Sequence, residues 1–440
     1  MSQLLTNERA GIWRWRGKLG RDYAATYVVE VLTLVSGLAL FHLVAAQSGP
    51  DGFTYYQVAR GVISTLQPVV MVGLVIALQR YLPRAGAGAG RLGRQAFLVL
   101  LGLVTVVGVV GWAAAPHIGD LLAIPGGAGP VRTIFVALAG ICLLALAVAA
   151  LWGTGRVAAA NVSTLVGLGV VPVVAFQLVG RVDLFLAVQG AVLVALAVAV
   201  MALVVRSPRR GEAAPTDLPR PGLSTVLTYG LRRVPGDVAL PALYVFPVFF
   251  VSNAMDGGPE TGYLGFATST VALVCSVFAT LTPVLLPRLS GQLAGPSVSA
   301  ATWRSLRFMP IAAVALAGVA VGALFLLAPV IVRAYLGPEF AGAVPVLRFG
   351  LLPAVALAAF YAARPVLDAL QDRPLTVPLL VGSLAVEVAT TYLAASFLSP
   401  TDAAITGFGV AALVLGAVSL VAVLRATGCR QTVGGRAGEH

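Results

Sequence analysis

Apolar segments of about 20 residues recur along the chain, and short stretches rich in charged residues, glycine and proline separate them. A helix needs roughly 20 apolar residues to cross the hydrocarbon core of a bilayer. The strands of an outer-membrane barrel would instead alternate over about 10 residues. Because a lipid-exposed backbone must satisfy its own hydrogen bonds, the pattern predicts an all-α integral membrane protein with about 12 transmembrane helices.

Two of these segments carry similar local sequences about 200 residues apart. Each copy begins with Gly-Pro and an acidic residue, continues with a tyrosine and an alanine, and ends with Leu-Pro-Arg. The copies are Gly49-Pro50-Asp51, Tyr55, Ala59 and Leu82-Pro83-Arg84, and then Gly258-Pro259-Glu260, Tyr263, Ala267 and Leu286-Pro287-Arg288. The Gly-Pro-acid element returns at Gly337-Pro338-Glu339, and its chemistry suits a helix start. The repeat predicts two halves of one design in the same membrane orientation, as in two-lobed transporters.

The polar, proline-rich stretch 206–222 divides the predicted helices into two sets of six. We therefore expect an N-lobe over 24–205, this stretch as a cytoplasmic linker, and a C-lobe over 223–424. A cytoplasmic amphipathic segment over 1–23 precedes the lobes, and a cytoplasmic tail over 425–440 follows them.

The distribution of charged residues predicts the orientation of the chain in the membrane. The chain is 59% hydrophobic and 10% charged, with a net charge of +12. Most basic residues lie in the two terminal segments and in every second connecting segment, which all fall on one side of the membrane. The positive-inside rule therefore places both termini in the cytoplasm. The net charge is thus a topology signal rather than a sign of nucleic-acid binding. Residues 9–21 interleave tryptophans with basic residues; this is typical of a surface helix bound to anionic lipid headgroups and equally of an orienting signal alone.

No catalytic or metal-binding pattern is present in the sequence. Three histidines and three cysteines show no ligand spacing, and there is no phosphate-binding loop. The predicted outer loops are short, whereas a multispan polymerase or ligase acting on glycolipids needs a substantial one. We expect a protein that is not an enzyme and that has no cofactor or metal.

The first candidate for substrate binding is Arg60. Tyr56, Arg60, Ser64 and Gln67 recur at helical spacing and form a polar stripe on the second span. Charges inside a membrane are costly and usually face a watered cavity or one another. The alternative is an arginine near the outer interface whose side chain extends to the headgroups.

The seventh span offers further cavity candidates: Tyr229, Arg232, Arg233 and Asp237. Arg233 and Asp237 are four residues apart, so they can neutralise each other. Arg364 is another candidate cation, with a local pair to Asp368 as the alternative.

Glu30, Asp237 and Glu387 are candidates for coupling transport to H+ or Na+, a common role for intramembrane carboxylates. Glu387 shares a helical stripe with Ser383, Thr390 and Thr391. An ion pair between Glu30 and Arg232 or Arg233 is the alternative for Glu30.

The stretch from Phe53 to Tyr56, with Gln79 to Arg84, resembles the second span of polysaccharide flippases of the Wzx type. Gly262-Tyr263 with Leu286-Pro287-Arg288, and Leu336 to Phe340 with Val346 to Arg348, match the same family. These flippases belong to the multidrug/oligosaccharidyl-lipid/polysaccharide (MOP) exporter superfamily, together with MATE exporters and lipid II flippases. Lipid II flippases usually have fourteen spans, whereas this chain has about twelve. The number of spans therefore argues against the lipid II branch.

The resemblance implies two six-helix lobes related by pseudo-two-fold symmetry around a central cavity that opens alternately to each side. It implies an undecaprenyl-pyrophosphate-linked oligosaccharide as substrate, in cell-surface polysaccharide biosynthesis at the bacterial cytoplasmic membrane. A polysaccharide polymerase and glycosyltransferases are the implied partners. Cationic cavity residues would suit the pyrophosphate, and Arg60 and Arg232 are carried over by matching span. The alternative is a MATE-like, ion-coupled multidrug exporter.

Overall fold

The computed structural model describes residues 2–82, 85, 88–124, 126–206, 222–279, 300–370 and 376–436, and over these residues the regular structure is helical. Eleven helical stretches in this part of the chain are long and apolar enough to cross a membrane. The first of them, Ala24–Met71, has 48 residues and is broken at Gly49, where φ is 63° and ψ is −169°. At about 72 Å it is long enough for two crossings of a core about 30 Å thick. The prediction of an all-α membrane protein with about 12 transmembrane helices is therefore confirmed.

The helices have the following bounds in chain order: α1 Ser2–Met71, α2 Leu74–Tyr81, α3 Ala89–Leu121, α4 Ala128–Gly153, α5 Val157–Thr164, α6 Val171–Val179, α7 Val182–Arg206, α8 Leu223–Leu231, α9 Val234–Ala254, α10 Pro259–Ala279, α11 Ala300–Ile331, α12 Ala343–Gly350, α13 Pro353–Leu370, α14 Thr376–Ala394 and α15 Pro400–Arg436. Two π-helical turns continue helices, Leu165–Val170 after α5 and Val332–Leu336 after α11.

The Gly-Pro-acid elements behave as helix starts. Pro259 is the first residue of α10, and Pro338 begins the short 3₁₀ helix Pro338–Phe340. Gly49 and Gly337 have positive φ, at 63° and 120°, which a residue with a side chain adopts only with strain. The Leu-Pro-Arg end of the second copy and the predicted linker lie outside the described residues, except for the linker's terminal positions.

The chain divides into two compact units. The first comprises residues 1–48, 66–117 and 126–232, and the second comprises 49–65, 118–125 and 233–440. Residues 49–65, which include the first part of the second predicted span, are thus grouped with the C-terminal part of the chain.

In the first unit, α4 and α7 approach closely through glycines. A Cβ built on Gly140 would overlap the carbonyl of Gly190, and one built on Gly190 would overlap the carbonyl of Val136. In lipid, where the hydrophobic effect does not drive helices together, such small residues permit the close packing that holds them.

A second close approach in the first unit joins two interrupted helices. Between α1 and α2, Val72 and Gly73 have positive φ values of 47° and 64°. A Cβ on Gly73 would lie 2.7 Å from the Cα of Gly230, near the end of α8. The seventh predicted span is also interrupted here, at Arg232 and Arg233, before α9 begins.

In the second unit, the two repeat copies pack against each other in parallel. A Cβ on Gly262 would lie 3.2 Å from the Cα of Thr54, and one on Gly265 would lie 2.7 Å from the Cβ of Gln57. Both pairs have the 208-residue separation that relates Tyr55 to Tyr263 in the repeat. Parallel helices that meet through equivalent residues are related by a local two-fold axis running between them.

Gly140→Ala tests the contact between α4 and α7. Because the new methyl group would overlap a backbone carbonyl, we expect a loss of about 1–3 kcal/mol and a lower midpoint of thermal unfolding in detergent. Gly102→Ala is the matched control, since a Cβ at Gly102 meets nothing within 4 Å. Equal midpoints for the two variants would contradict this packing.

Candidate functional site

The second unit contains a cavity of about 200 Å³ at the contact between the repeat copies. Its walls come from α1, α9 and α10, and its polar lining residues are Gln57, Arg60, Ser64, Tyr244, Thr268 and Ser269. A volume of this size is below the roughly 300–1,000 Å³ of a site for a drug-sized ligand. The cavity therefore has room for one small chemical group.

Arg60 is held in this cavity by two neutral acceptors. Its Nη1 donates to Oε1 of Gln57 at 3.1 Å and to Oγ of Ser269 at 3.1 Å. The guanidinium carbon also lies 5.9 Å from the centroid of the Tyr56 ring. Ser269 in turn donates its hydroxyl hydrogen to the carbonyl of Gly265 at 2.6 Å, which fixes the serine oxygen as an acceptor.

The cavity is cationic. Among the described residues that line it, Arg60 is the one charged side chain, and none is a carboxylate. A guanidinium in a protein wall favours an anionic group and disfavours a cation. The electrostatics of this cavity thus suit a phosphoryl or carboxylate group.

The predicted polar stripe meets the cavity only in part. Arg60 and Ser64 line it, and Tyr56 is buried beside Arg60. Gln67 belongs to the first unit and is not a lining residue. Sequence reasoning missed Gln57, although it lies one helical turn before Arg60, the spacing at which two side chains meet.

Arg233 and Arg364 share one neighbouring carboxylate, that of Asp237. Nε of Arg233 lies 3.8 Å from Oδ2 of Asp237, and Arg364 also interacts electrostatically with Asp237. None of the three lines the cavity of Arg60. The side chain of Asp368, the expected partner of Arg364, lies outside the described residues.

The remaining candidates of the first unit lie elsewhere. Tyr229 stacks with Arg80, whose guanidinium carbon is 4.9 Å from the centroid of the tyrosine ring. Arg232 and Glu30 are both exposed, and the described part of this unit contains no ion pair between them.

Arg348 has a structural role that its sequence position conceals. Its Nε donates to the carbonyl of Phe325 at 3.1 Å. Pro329 lies four residues after Phe325 within α11 and has no N–H to donate to that carbonyl. Arg348 supplies the missing donor, so its charge serves this helix rather than a ligand.

Glu387 is the most enclosed charged group of the described chain. The buried face of α14 is polar, with Ser383, Glu387 and Thr391 at intervals of one turn, while Val381, Tyr392 and Leu393 are exposed. Glu387 is 0% exposed, and neither carboxyl oxygen has a hydrogen-bond partner among the described residues. A carboxyl group in such surroundings is stable only when it carries a proton or holds a cation.

Close helix packing encloses this carboxyl. A Cβ on Gly407 of α15 would overlap the hydroxyl of Thr391 and lie 3.0 Å from the carbonyl of Glu387. The hydroxyl of Thr391 is buried and without a hydrogen-bond partner in the described structure. A site here would therefore offer oxygen ligands, which suit a proton or a hard cation such as Na+.

Comparison with known proteins shows which fold this arrangement of helices has. Neither a protein-family model nor a curated protein matches the sequence. Solved structures do: the inward-facing conformation of a multidrug resistance MATE family transporter of the MOP superfamily matches 91% of this chain and 96% of its own, with a TM-score of 0.71 and 14% identity. The chain has the MATE transporter fold.

Two other structures with this fold extend the comparison. The lipid II flippase MurJ, in an inward closed conformation, matches 91% of this chain and 87% of its own, with a TM-score of 0.63 and 12% identity. A eukaryotic MATE transporter matches 91% of each chain, with a TM-score of 0.55 and 17% identity. The fold of MOP-superfamily transporters thus accommodates this sequence, and at these identities the likeness concerns the fold alone.

Glu387→Gln tests the enclosed carboxyl of this MATE fold. A bound ion stabilises the folded protein by mass action, so wild-type protein in detergent should gain thermal stability from either added sodium or added protons. The glutamine keeps the shape and removes the exchangeable site, so this gain should disappear. Thermal unfolding in sodium chloride, in choline chloride and across pH measures it.

Asp120→Asn, at an exposed carboxyl, is the matched control and should respond as wild type does. A Glu387→Gln protein that keeps the full ion response would show that Glu387 is not the responsible group.

Proposed function

We propose that this protein is a flippase for lipid-linked oligosaccharides. It moves an undecaprenyl-pyrophosphate glycan across the bacterial cytoplasmic membrane by alternating access, for cell-surface polysaccharide biosynthesis. In this proposal the N-lobe 24–205 and the C-lobe 223–424 are the moving parts, and both termini are cytoplasmic.

The observation that carries the proposal is the charge of the cavity in the second unit. Arg60 lines it together with neutral hydroxyl and amide groups, and its described lining includes no carboxylate. The pyrophosphate of a lipid-linked glycan is anionic, and a guanidinium binds such oxygens through paired, charge-assisted hydrogen bonds. The fold shared with a lipid II flippase is consistent with a lipid-linked cargo.

The second candidate is an ion-coupled multidrug exporter, since multidrug transporters share the fold equally well. The enclosed carboxyl of Glu387 favours ion coupling, but coupling to H+ or Na+ suits a flippase as much as an exporter. The two functions differ in the charge of the cargo: a cationic drug needs a carboxylate where this cavity has Arg60. We therefore place the flippase first.

The partners follow from the proposed cargo. Glycosyltransferases assemble the lipid-linked glycan on the inner face, and a polysaccharide polymerase consumes it on the outer face. The basic and aromatic residues 9–21 would hold the N-terminal segment at anionic headgroups; their side chains lie outside the described residues.

Arg60→Ala tests the proposal in proteoliposomes that contain a fluorescent undecaprenyl-pyrophosphate oligosaccharide. A membrane-impermeant quencher reports how fast label leaves the inner leaflet. Losing hydrogen bonds to a charged group costs about 1.5–3 kcal/mol, so we expect the rate to fall roughly 10- to 100-fold. Arg60→Lys keeps the positive charge but loses the planar, two-pronged geometry of the guanidinium. Its flipping rate should therefore lie between those of wild type and Arg60→Ala.

Arg181→Ala is the matched control, because the Arg181 side chain is 73% exposed and pairs with Asp183 in the first turn of α7. It should flip the glycolipid at the wild-type rate. If wild-type protein moves no glycolipid under proton, sodium or voltage gradients but exports a cationic dye, the exporter is the correct function.

A further inference from the structure

The cavity also contains a hydrogen-bond donor that the proposed function has not used. Gln57 is 4% exposed and lines the cavity, and its Nε2 has no hydrogen-bond partner among the described residues. Leaving a buried donor unsatisfied is unfavourable, so native structures rarely keep one without a reason.

The orientation of this amide is fixed by chemistry. Glutamine oxygen and nitrogen are normally assigned from the surrounding hydrogen bonds. Arginine has donors and no acceptor, so the Gln57 atom 3.1 Å from Nη1 of Arg60 must be the oxygen. Consequently Nε2 is the atom of this amide whose hydrogens have no acceptor among the described residues.

The serine and threonine hydroxyl groups of the lining do not provide equivalent donors. Ser64 donates to the carbonyl of Gly61 at 3.0 Å. Thr268 and Ser269 both donate to the carbonyl of Gly265, at 3.3 Å and 2.6 Å. Each hydroxyl has one hydrogen, so these three side chains face a ligand as acceptors.

The repeat has diverged to make room for this donor. Gln57 faces its own counterpart Gly265, and Arg60 meets Ser269, next to its counterpart Thr268. A long side chain in both copies would collide across the local two-fold axis. One copy therefore provides Gln57 and Arg60, and the other provides space, which gives a single asymmetric site.

We propose that Gln57 binds the ligand directly, and that Gln57 and Arg60 together form a subsite for one phosphoryl-type oxyanion. The volume of about 200 Å³ holds such a group but not an attached oligosaccharide. This inference rests on the proposed function for the identity of the anion. It adds that the anion, rather than the glycan, determines recognition at this position.

Binding to purified protein in detergent, measured by calorimetry, tests the inference with three probes: geranyl pyrophosphate, inorganic pyrophosphate and geraniol. Gln57→Glu replaces the free donor by an acceptor in nearly the same shape. We expect it to weaken binding of both pyrophosphate probes about tenfold or more, and to leave geraniol binding unchanged. Gln79→Glu, the same exchange at an exposed position, should bind all three probes as wild type does.

Two further variants separate binding from folding. Gln57→Met keeps the length of the side chain but has no hydrogen-bond donor, so it should weaken pyrophosphate binding to the same extent. It therefore tests the inference even if Gln57→Glu does not fold. Gly265→Ala removes no polar group but places a methyl 2.7 Å from the Cβ of Gln57, so it should also weaken pyrophosphate binding.

The outcomes distinguish this inference from the proposed function. If the Gln57 variants bind the pyrophosphate probes as tightly as wild type while Arg60→Ala does not, Gln57 is not a ligand-binding residue and the flippase proposal stands. An equal loss for geraniol would overturn the oxyanion subsite. Wild-type protein that binds neither pyrophosphate probe would overturn both.

Discussion

The parallel contact between the two repeat copies is the constraint on which the second unit depends. Gly262 and Gly265 allow α10 to approach the helix of Thr54 and Gln57 more closely than any larger residue would. Within a membrane this contact must come from close packing, because lipid surrounds the helices with equally apolar groups. The cavity lies where the approach ends, at Arg60 and Ser269. The packing contact and the binding site are therefore parts of one interface.

Helix α14 presents polar side chains to the helix packing and apolar side chains to its surroundings. In α14 the buried positions Ser383, Glu387 and Thr391 are polar, while the exposed positions are apolar. A soluble helix has the opposite arrangement, because water rather than hydrocarbon surrounds it. The charged side chains differ in their partners: Arg233 lies near Asp237, Arg348 donates to the carbonyl of Phe325, and Arg60 donates to Gln57 and Ser269. Unlike these charged side chains, that of Glu387 is buried.

The sequence predicted the fold class well and the candidate site in part. Helical length and composition are local properties, so the crossings could be read from apolar segments of about 20 residues. Arg60 was identified because a charge in such a segment is rare. Ser269 was missed because it contacts Arg60 from 209 positions away in the chain. Gln57 was missed although it lies one helical turn before Arg60. The bond from Arg348 to the carbonyl of Phe325 also could not be read from the sequence, because it joins residues 23 positions apart.

By itself the sequence determined that this chain crosses the membrane repeatedly and contains two related halves. Those properties follow from the hydrophobicity of successive segments and from the repeated Gly-Pro-acid elements. Only the tertiary structure decided which charged residue lines a cavity. Helical periodicity fixes the face of a residue without fixing its neighbour on another helix. For that reason the pairing of Arg233 with Asp237 could be read from their spacing, whereas the contact of Arg60 with Ser269 could not.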